Sequence, residues 1–365
     1  MTRGTRTFWA PGRANLIGEH TDYSGGLVLP VALDLGVRIE GAPDDRIRLT
    51  SDRGEPVDLP ADGGSVDEAT GWGRFVAAVA SELDALGRPA VGFAGHVSSD
   101  LPIGAGLSSS AALEVAVGTA LSAIAGFSLD PLELARAGQR AEHRAAGVPT
   151  GIMDQAASVL GRADHAILLD TGSLAYEHVP LPSELALVIV DSGVQHAHAD
   201  SGYATRRREL ERALAALDGR LPGDLSAAEA EELGDRLEPV PARRLRHVVT
   251  ENERVRRVVE VLREPGRPAL AELGALFRAG HESLRDDFEV STPELDLLVD
   301  LAYDAGALAA RMTGGGFGGS VVVLVDETRA AELGAEVVAA YDAREGGPLA
   351  TARTCRAADG ARELS

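Results

Sequence analysis

Residues 12–26 read Gly-Arg-Ala-Asn-Leu-Ile-Gly-Glu-His-Thr-Asp-Tyr-Ser-Gly-Gly. Apolar residues recur there at neither the helical nor the strand period, so neither a packed strand nor an amphipathic helix is expected. Arg13, Glu19, His20, Asp22 and Tyr23 crowd between glycines just after Pro11. Glycine marks tight turns and close backbone approach, and charged groups on such a loop are placed to grip something polar. A polar surface turn is the plainer reading, and two further glycine-rich segments weigh against it.

The second segment, 101–114, reads Leu-Pro-Ile-Gly-Ala-Gly-Leu-Ser-Ser-Ser-Ala-Ala-Leu-Glu. Gly104 and Gly106 let the backbone bend, and three serines lead straight into a helical run. Unpaired N–H groups and the positive end of a helix dipole then face a glycine-lined opening, which makes an anion site. Serine hydroxyls there can bond phosphate or ligate Mg²⁺. A serine cap after a glycine turn would explain less of the segment. The third segment, 312–320, reads Met-Thr-Gly-Gly-Gly-Phe-Gly-Gly-Ser, with five glycines in six residues before a buried strand. A turn needs one or two, so close approach to a ligand or another loop is expected. In a fourth segment, Pro149 and Gly151 break a helix and Asp154 falls in the first turn of the next. The helix dipole there favours a charged carboxylate, a weak base that suits phosphoryl transfer through a loose transition state.

Composition limits the chemistry. The chain of 365 residues is long enough for two domains. It contains no lysine, so all 35 basic residues are arginine. A Gly-x-x-x-x-Gly-Lys phosphate loop, a Schiff base and a kinase-type lysine are all excluded. Any phosphate must be met by arginine, backbone N–H groups, a helix N-terminus or a metal ion. The net charge of −21 argues against nucleic acid and against anionic membranes. Aromatics are only 4%, so the core must be built from Ala, Val, Leu and Ile. A lone Cys355 forbids an internal disulfide and fits a reducing compartment. The apolar stretch 111–127 is interrupted by Glu114, Thr119 and Ser122, so it reads as a buried helix, and a cytoplasmic location is expected. Gly104-x-Gly106 lacks the third glycine and the acidic residue of a dinucleotide fingerprint. The nine histidines form no metal-spaced cluster, and His196-x-His198 alone makes a poor structural metal site.

Strands are predicted at 5–9, 27–33, 36–40, 46–50, 91–97, 165–170, 185–191 and 320–326. Helices are predicted at 72–86, 110–125, 131–146, 152–160, 203–217, 241–263, 267–286, 292–305 and 328–341. Strands mixed with helices without strict alternation favour α+β. Pro180–Pro182 is the expected border between halves spanning 1–180 and 181–365. Arg206–Arg208 is expected to be a solvated helix face, with contact to phosphate as the alternative.

The first segment, together with Gly-Ile-Met-Asp-Gln at 151–155, resembles the galactokinase signature. The second and third resemble motifs of the wider GHMP small-molecule kinases. The resemblance runs in order from Pro11 to about Val325. It implies a two-domain α+β fold with an interdomain cleft, and ATP and Mg²⁺ acting with a small-molecule sugar. Asp154 would face the C1 hydroxyl of the sugar, and Arg13 would pair with it and stabilise the transferring phosphoryl group. Glu19, His20, Asp22, Gly151 and Tyr203 would bind sugar. Gly104, Ala105, Gly106, Leu107, Ser108, Ser109 and Ser110 would hold the ATP phosphates, with Trp72 near adenine. Ser110 and Glu142 would hold Mg²⁺. Carboxylates and a histidine suit a neutral polyol, because an ionised carboxylate accepts two hydroxyls by geometry.

Departures are mild: Thr150 and Ser320 stand where relatives carry Cys, and Ser24 replaces a common Asn. Gln195 replaces a basic residue, which shifts weight onto Arg13 and Mg²⁺. The expected activity is phosphorylation of D-galactose at C1, by a chain favoured to be a monomer. A kinase for L-arabinose or N-acetylgalactosamine, and a non-catalytic sugar sensor, are the alternatives. Intact phosphate and metal ligands argue against the sensor.

Overall fold

Residues 6–60 of the computed structural model are mostly strand, interrupted chiefly by the loop 16–26. The strands are β1 (Arg6–Asn15), β2 (Leu27–Val28), β3 (Pro30–Asp44), β4 (Arg46–Ser51) and β5 (Gly54–Pro60). Then come α1 (Gly73–Ala85), β6 (Gly92–Ser99), α2 (Ser109–Ala125), α3 (Pro131–Ala146), α4 (Met153–Leu160), β7 (His165–Asp170) and β8 (Tyr176–Pro180). The second half holds β9 (Leu185–Gln195), α5 (Ala199–Leu214), α6 (Ala227–Gly234), α7 (Pro239–Arg263), α8 (Arg267–Asp286) and α9 (Pro293–Asp304). It ends in β10 (Ala309–Thr313), β11 (Gly318–Asp326), α10 (Ala330–Asp342), β12 (Thr351–Cys355) and β13 (Arg362–Leu364). The structure describes residues 4–102, 104–195, 199–264, 267–344 and 346–364; His196 and His198 lie outside them.

Three sheets organise these elements. One is six-stranded in the order β13-β1-β3-β6-β4-β5, one four-stranded as β10-β11-β9-β12, and one three-stranded as β2-β7-β8. Only the β4–β6 pairing is parallel among the described pairs. α2 covers β1 and β3, while α9 covers β10 and β11. Mixed sheets with helices segregated to particular faces make the expected α+β fold. β11 is buried along nearly its whole length, as a run of valines between two neighbours should be. α3 begins where the Asp130 side chain accepts from the Leu132 N–H at 2.9 Å, with Pro131 at its first position. One hydrophobic core joins residues as far apart as Phe8, Val115, Ile189 and Val322. β13 pairs with β1, so the tail of the predicted 181–365 half rests on the sheet of the first half. Among the described residues, no helix is long and apolar enough to cross a membrane.

Two expectations change. The polar stretch 12–26 is not loop from its start, because β1 runs on to Asn15. Its pairing with β3 shifts register between Pro11 and Arg13. The two extra residues lie on β3, which takes four steps from Gly36 to Ala32 while β1 takes two, so the ladder is interrupted beside Arg13. The predicted strands 27–33 and 36–40 become the short β2 and the long β3.

Candidate active site

Arg13 leaves the end of β1 almost fully buried. Its Nε donates to Asp154 Oδ1 at 2.7 Å and its Nη2 to Asp154 Oδ2 at 2.9 Å. This parallel two-bond fork is the strong geometry for a guanidinium and a carboxylate. Nη1 donates to the Gly106 carbonyl at 2.7 Å, and the Arg13 N–H reaches the Leu107 carbonyl at 3.2 Å. One residue thus ties the first segment to the second and to the start of α4. Ser108 Oγ donates to Asp154 Oδ2 at 2.5 Å.

On one side of this pair is a cavity of about 290 Å³. Glu19, His20, Asp22, Gly151 and Tyr203 all line it, with Arg13 and Asp154. Gly151 is required by contact: a methyl group there would overlap the Asp22 carboxylate. Burial raises Asp22 to about 7, helped by the like charge of Asp154. Burial likewise raises Glu19 to about 7, against the pull of Arg311. His20 adopts a positive φ of 64° and stacks on Phe288 at 4.6 Å. Its Nδ1 lies 3.0 Å from the Tyr23 hydroxyl. Burial lowers His20 to about 3, so its ring is neutral at pH 7 and carries one donor and one acceptor.

On the other side is a cavity of about 470 Å³, lined by Gly104, Gly106 and Leu107 through Ser110 and by the loop Gly315–Gly319. Arg13, Asp154, Gly315, Gly316 and Phe317 line both cavities, so the two meet at the charge pair. Ser108 caps α2 in a left-handed conformation with φ 58° and makes no side-chain capping bond. The first N–H groups of α2 are thereby left without a side-chain acceptor, as an anion site needs. The five-glycine loop lies against the second segment, with Ser320 Oγ donating to the Ala105 carbonyl at 2.7 Å. Ser110 Oγ donates to Glu142 Oε1 at 2.9 Å, while Thr150 Oγ1 and Gln155 Nε2 hold Oε2 at 2.7 and 3.0 Å.

Two expected site residues sit apart. Ala105 is buried and lines neither cavity. Trp72 donates its indole N–H to the Glu55 carbonyl at 2.8 Å and also lines neither. Arg206 and Arg207 lie within 3.1 and 2.9 Å of Glu209 and Glu211, which makes this a paired helix face. Sequence reasoning missed Thr313 and Phe317 as lining residues, and Arg311 and Glu251 beneath the first loop. For Arg311 a signal existed: it is the charge in an otherwise apolar run, Ala-Ala-Arg-Met. Glu251 lies among charged helix residues and carried none.

Comparison with known proteins agrees with this geometry. The pattern described as GHMP kinases N terminal domain matches residues 74–162, and that described as GHMP kinases C terminal matches 266–343. The fold and the cleft are those of a GHMP small-molecule kinase. The galactokinase galactose-binding signature matches residues 2–43. A galactokinase of Streptomyces coelicolor is 44% identical over 87% of this chain and 84% of its own length. One from Chloroflexus aggregans is 42% identical over 94% and 90%. The crystal structure of Lactococcus lactis galactokinase complexed with galactose superposes with a TM-score of 0.92 at 33% identity, covering 100% of this chain and 96% of that one. The chain belongs to the galactokinase family.

Proposed function

We propose that the protein transfers the γ-phosphoryl group of ATP to the C1 hydroxyl of D-galactose where the two cavities meet. The observation that carries this is the Arg13–Asp154 fork, shared by a cavity lined with hydroxyl acceptors and one lined with a glycine–serine loop. A carboxylate offers about four lone-pair sites, and Arg13 and Ser108 use three of those on Asp154. The remaining site on Oδ1 accepts the sugar hydroxyl. Asp154 holds that hydroxyl in line and takes its proton as the new O–P bond forms and the bond to the β-phosphate oxygen breaks, releasing ADP. Little nucleophile activation is needed in such a loose transition state, so a weak base suffices. Arg13, fixed by the Gly106 carbonyl, meets the charge spreading over the phosphoryl oxygens.

Glu19, Asp22, His20 and Tyr203 bind the sugar, and the loop from Gly104 to Ser110 binds the phosphates at the α2 N-terminus. Trp72 is proposed to flank the adenine. Ser110 Oγ and Glu142 Oε1 form a pair of hard oxygen donors beside the phosphate loop, which fits Mg²⁺. Among the described residues, no group of three His, Cys, Asp or Glu could hold a metal alone. That suits an ion completed by phosphate and water. When bound, it would neutralise phosphate charge. Residues 1–180 and 181–365 are proposed as the two working halves around this cleft.

The test is Mg²⁺-dependent ADP release with D-galactose, L-arabinose, N-acetylgalactosamine, D-glucose and no sugar. Turnover on galactose above the other sugars is expected. Preference for another sugar would move the substrate. Binding of sugar or ATP without turnover would make the protein a sensor.

A further inference from the structure

Arg311 lies on β10 with buried Ala309, Ala310 and Met312 around it. Its guanidinium is fully buried, and Nη2 stands 2.7 Å from Glu19 Oε2 and 2.7 Å from Glu251 Oε1. Glu251, on α7, also accepts the Gly18 N–H on Oε1 at 2.9 Å and Arg254 Nε on Oε2 at 2.7 Å. One turn earlier, His247 Nε2 lies 3.1 Å from the Glu19 carbonyl. α8 is shaped to admit the guanidinium: a Cβ at Gly280 would stand 2.6 Å from Arg311 Nη1. Three elements distant in sequence therefore converge beneath the residue that lines the sugar cavity.

Two carboxylates and two guanidinium groups balance in charge here, as a buried cluster must. Glu19 has almost no contact with water, its side chain being 1% exposed, so it depends on protein partners to stay ionised and still. Burial drives it up to about 7 while Arg311 pulls it down. Burial also pushes Glu251 up, but Arg311, Arg254 and His247 together hold it well below the usual range. Glu251 is thus the firm anchor and Glu19 the responsive partner.

We infer that Arg311 and Glu251 are positioning residues for sugar recognition. Arg311 holds the Glu19 carboxylate toward the sugar cavity, and Glu251 holds both Arg311 and the backbone at Gly18. This rests on the reading that the 290 Å³ cavity takes galactose. A single guanidinium nitrogen, Nη2, stands between the two carboxylates, a placement set by the rigid fork that a lysine ammonium on a flexible stem does not reproduce.

The test uses the full chain carrying Arg311→Lys, Arg311→Met or Glu251→Gln, with wild type alongside. Measured are KM for galactose, KM for ATP, kcat, galactose affinity by calorimetry, and the melting curve. Galactose KM is expected to rise about tenfold in R311K and E251Q with ATP KM within about twofold, and R311K should keep part of what R311M loses. Unchanged galactose KM in folded R311K and E251Q overturns the inference. So does a parallel rise of both KM values, which is what a general loosening of the fold produces. Should the Arg311 variants fail to fold, E251Q alone decides. A wild type with no galactose-dependent ADP release overturns the functional reading itself, whereas an active wild type with indifferent variants overturns only the positioning role.

Discussion

Two arginine–carboxylate clusters flank the sugar cavity, and water reaches them differently. At Arg13–Asp154, the aspartate side chain keeps 26% of its exposure and opens onto both cavities. At Glu19–Arg311–Glu251, no side chain exceeds 1%. An open pair can exchange a water or hydroxyl partner for a substrate during a reaction. The sealed cluster keeps its protein partners, because removing one strands a buried charge, and Glu19 meets the sugar without releasing Arg311. The first suits chemistry and the second suits holding a shape. A third kind, Arg6–Glu363, lies at the surface with 33% and 41% exposure and ties the chain's end to its beginning.

The largest effect should come from the open pair. Asp154→Ala is expected to lower kcat by about a thousandfold or more while the circular dichroism spectrum stays native. Near-normal turnover would remove the distinction between the clusters. Arg13→Met should lower kcat by about a hundredfold, because the loss falls on the transferring group. A change confined to galactose KM would place Arg13 with the sealed cluster instead.

Smaller effects probe the sugar side. Gly151→Ala must displace the Asp22 carboxylate, and galactose KM should rise about tenfold with ATP KM held. Glu19 and Asp22 are both raised to about 7, chiefly by burial. Their ionised forms accept hydroxyls, so sugar binding should strengthen as pH rises through 7 and weaken below it. For a single group with this value, kcat/KM for galactose should fall about fivefold from pH 7 to pH 6, read at saturating ATP. A flat profile over that range would show that Arg311 keeps Glu19 ionised more firmly than burial opposes it. The smallest effect belongs to the surface: Glu363→Ala should cost less than about 1 kcal/mol in a denaturant titration.

Helices were legible because their apolar period is local. Runs of 17 and 16 residues, as in α2 and α3, carry enough of it to be read with ends within a residue or two. The strands that went unread are those whose state depends on a neighbour. β5, β8 and β12 are mostly exposed, β13 spans three residues, and β10 is a buried run of five interrupted by Arg311. Their backbone is a strand because β4, β7, β9, β1 and β11 offer a ladder to pair with, which no local pattern announces. α6 was also missed, being a short helix with a single buried residue, although Ser226 and Glu229 form a capping box that could have marked it.

The sequence by itself determined the chemistry on offer. The missing lysines, the three glycine-rich segments and Asp154 after Pro149 and Gly151 are local facts of composition and spacing, and they narrowed the reading to an anion loop, a loop that grips something polar and one carboxylate, while the sugar came from the resemblance these segments carry. Tertiary structure alone decided which of these groups meet. Arg13 reaches Asp154 across 141 positions of chain because α4 packs against β1. Arg311 and Glu251 come under Glu19 from β10 and α7, with room left by a glycine on α8. Contacts of that range follow from how sheets and helices stack, and burial then sets the charge each group carries; neither is written in the neighbourhood of any one residue.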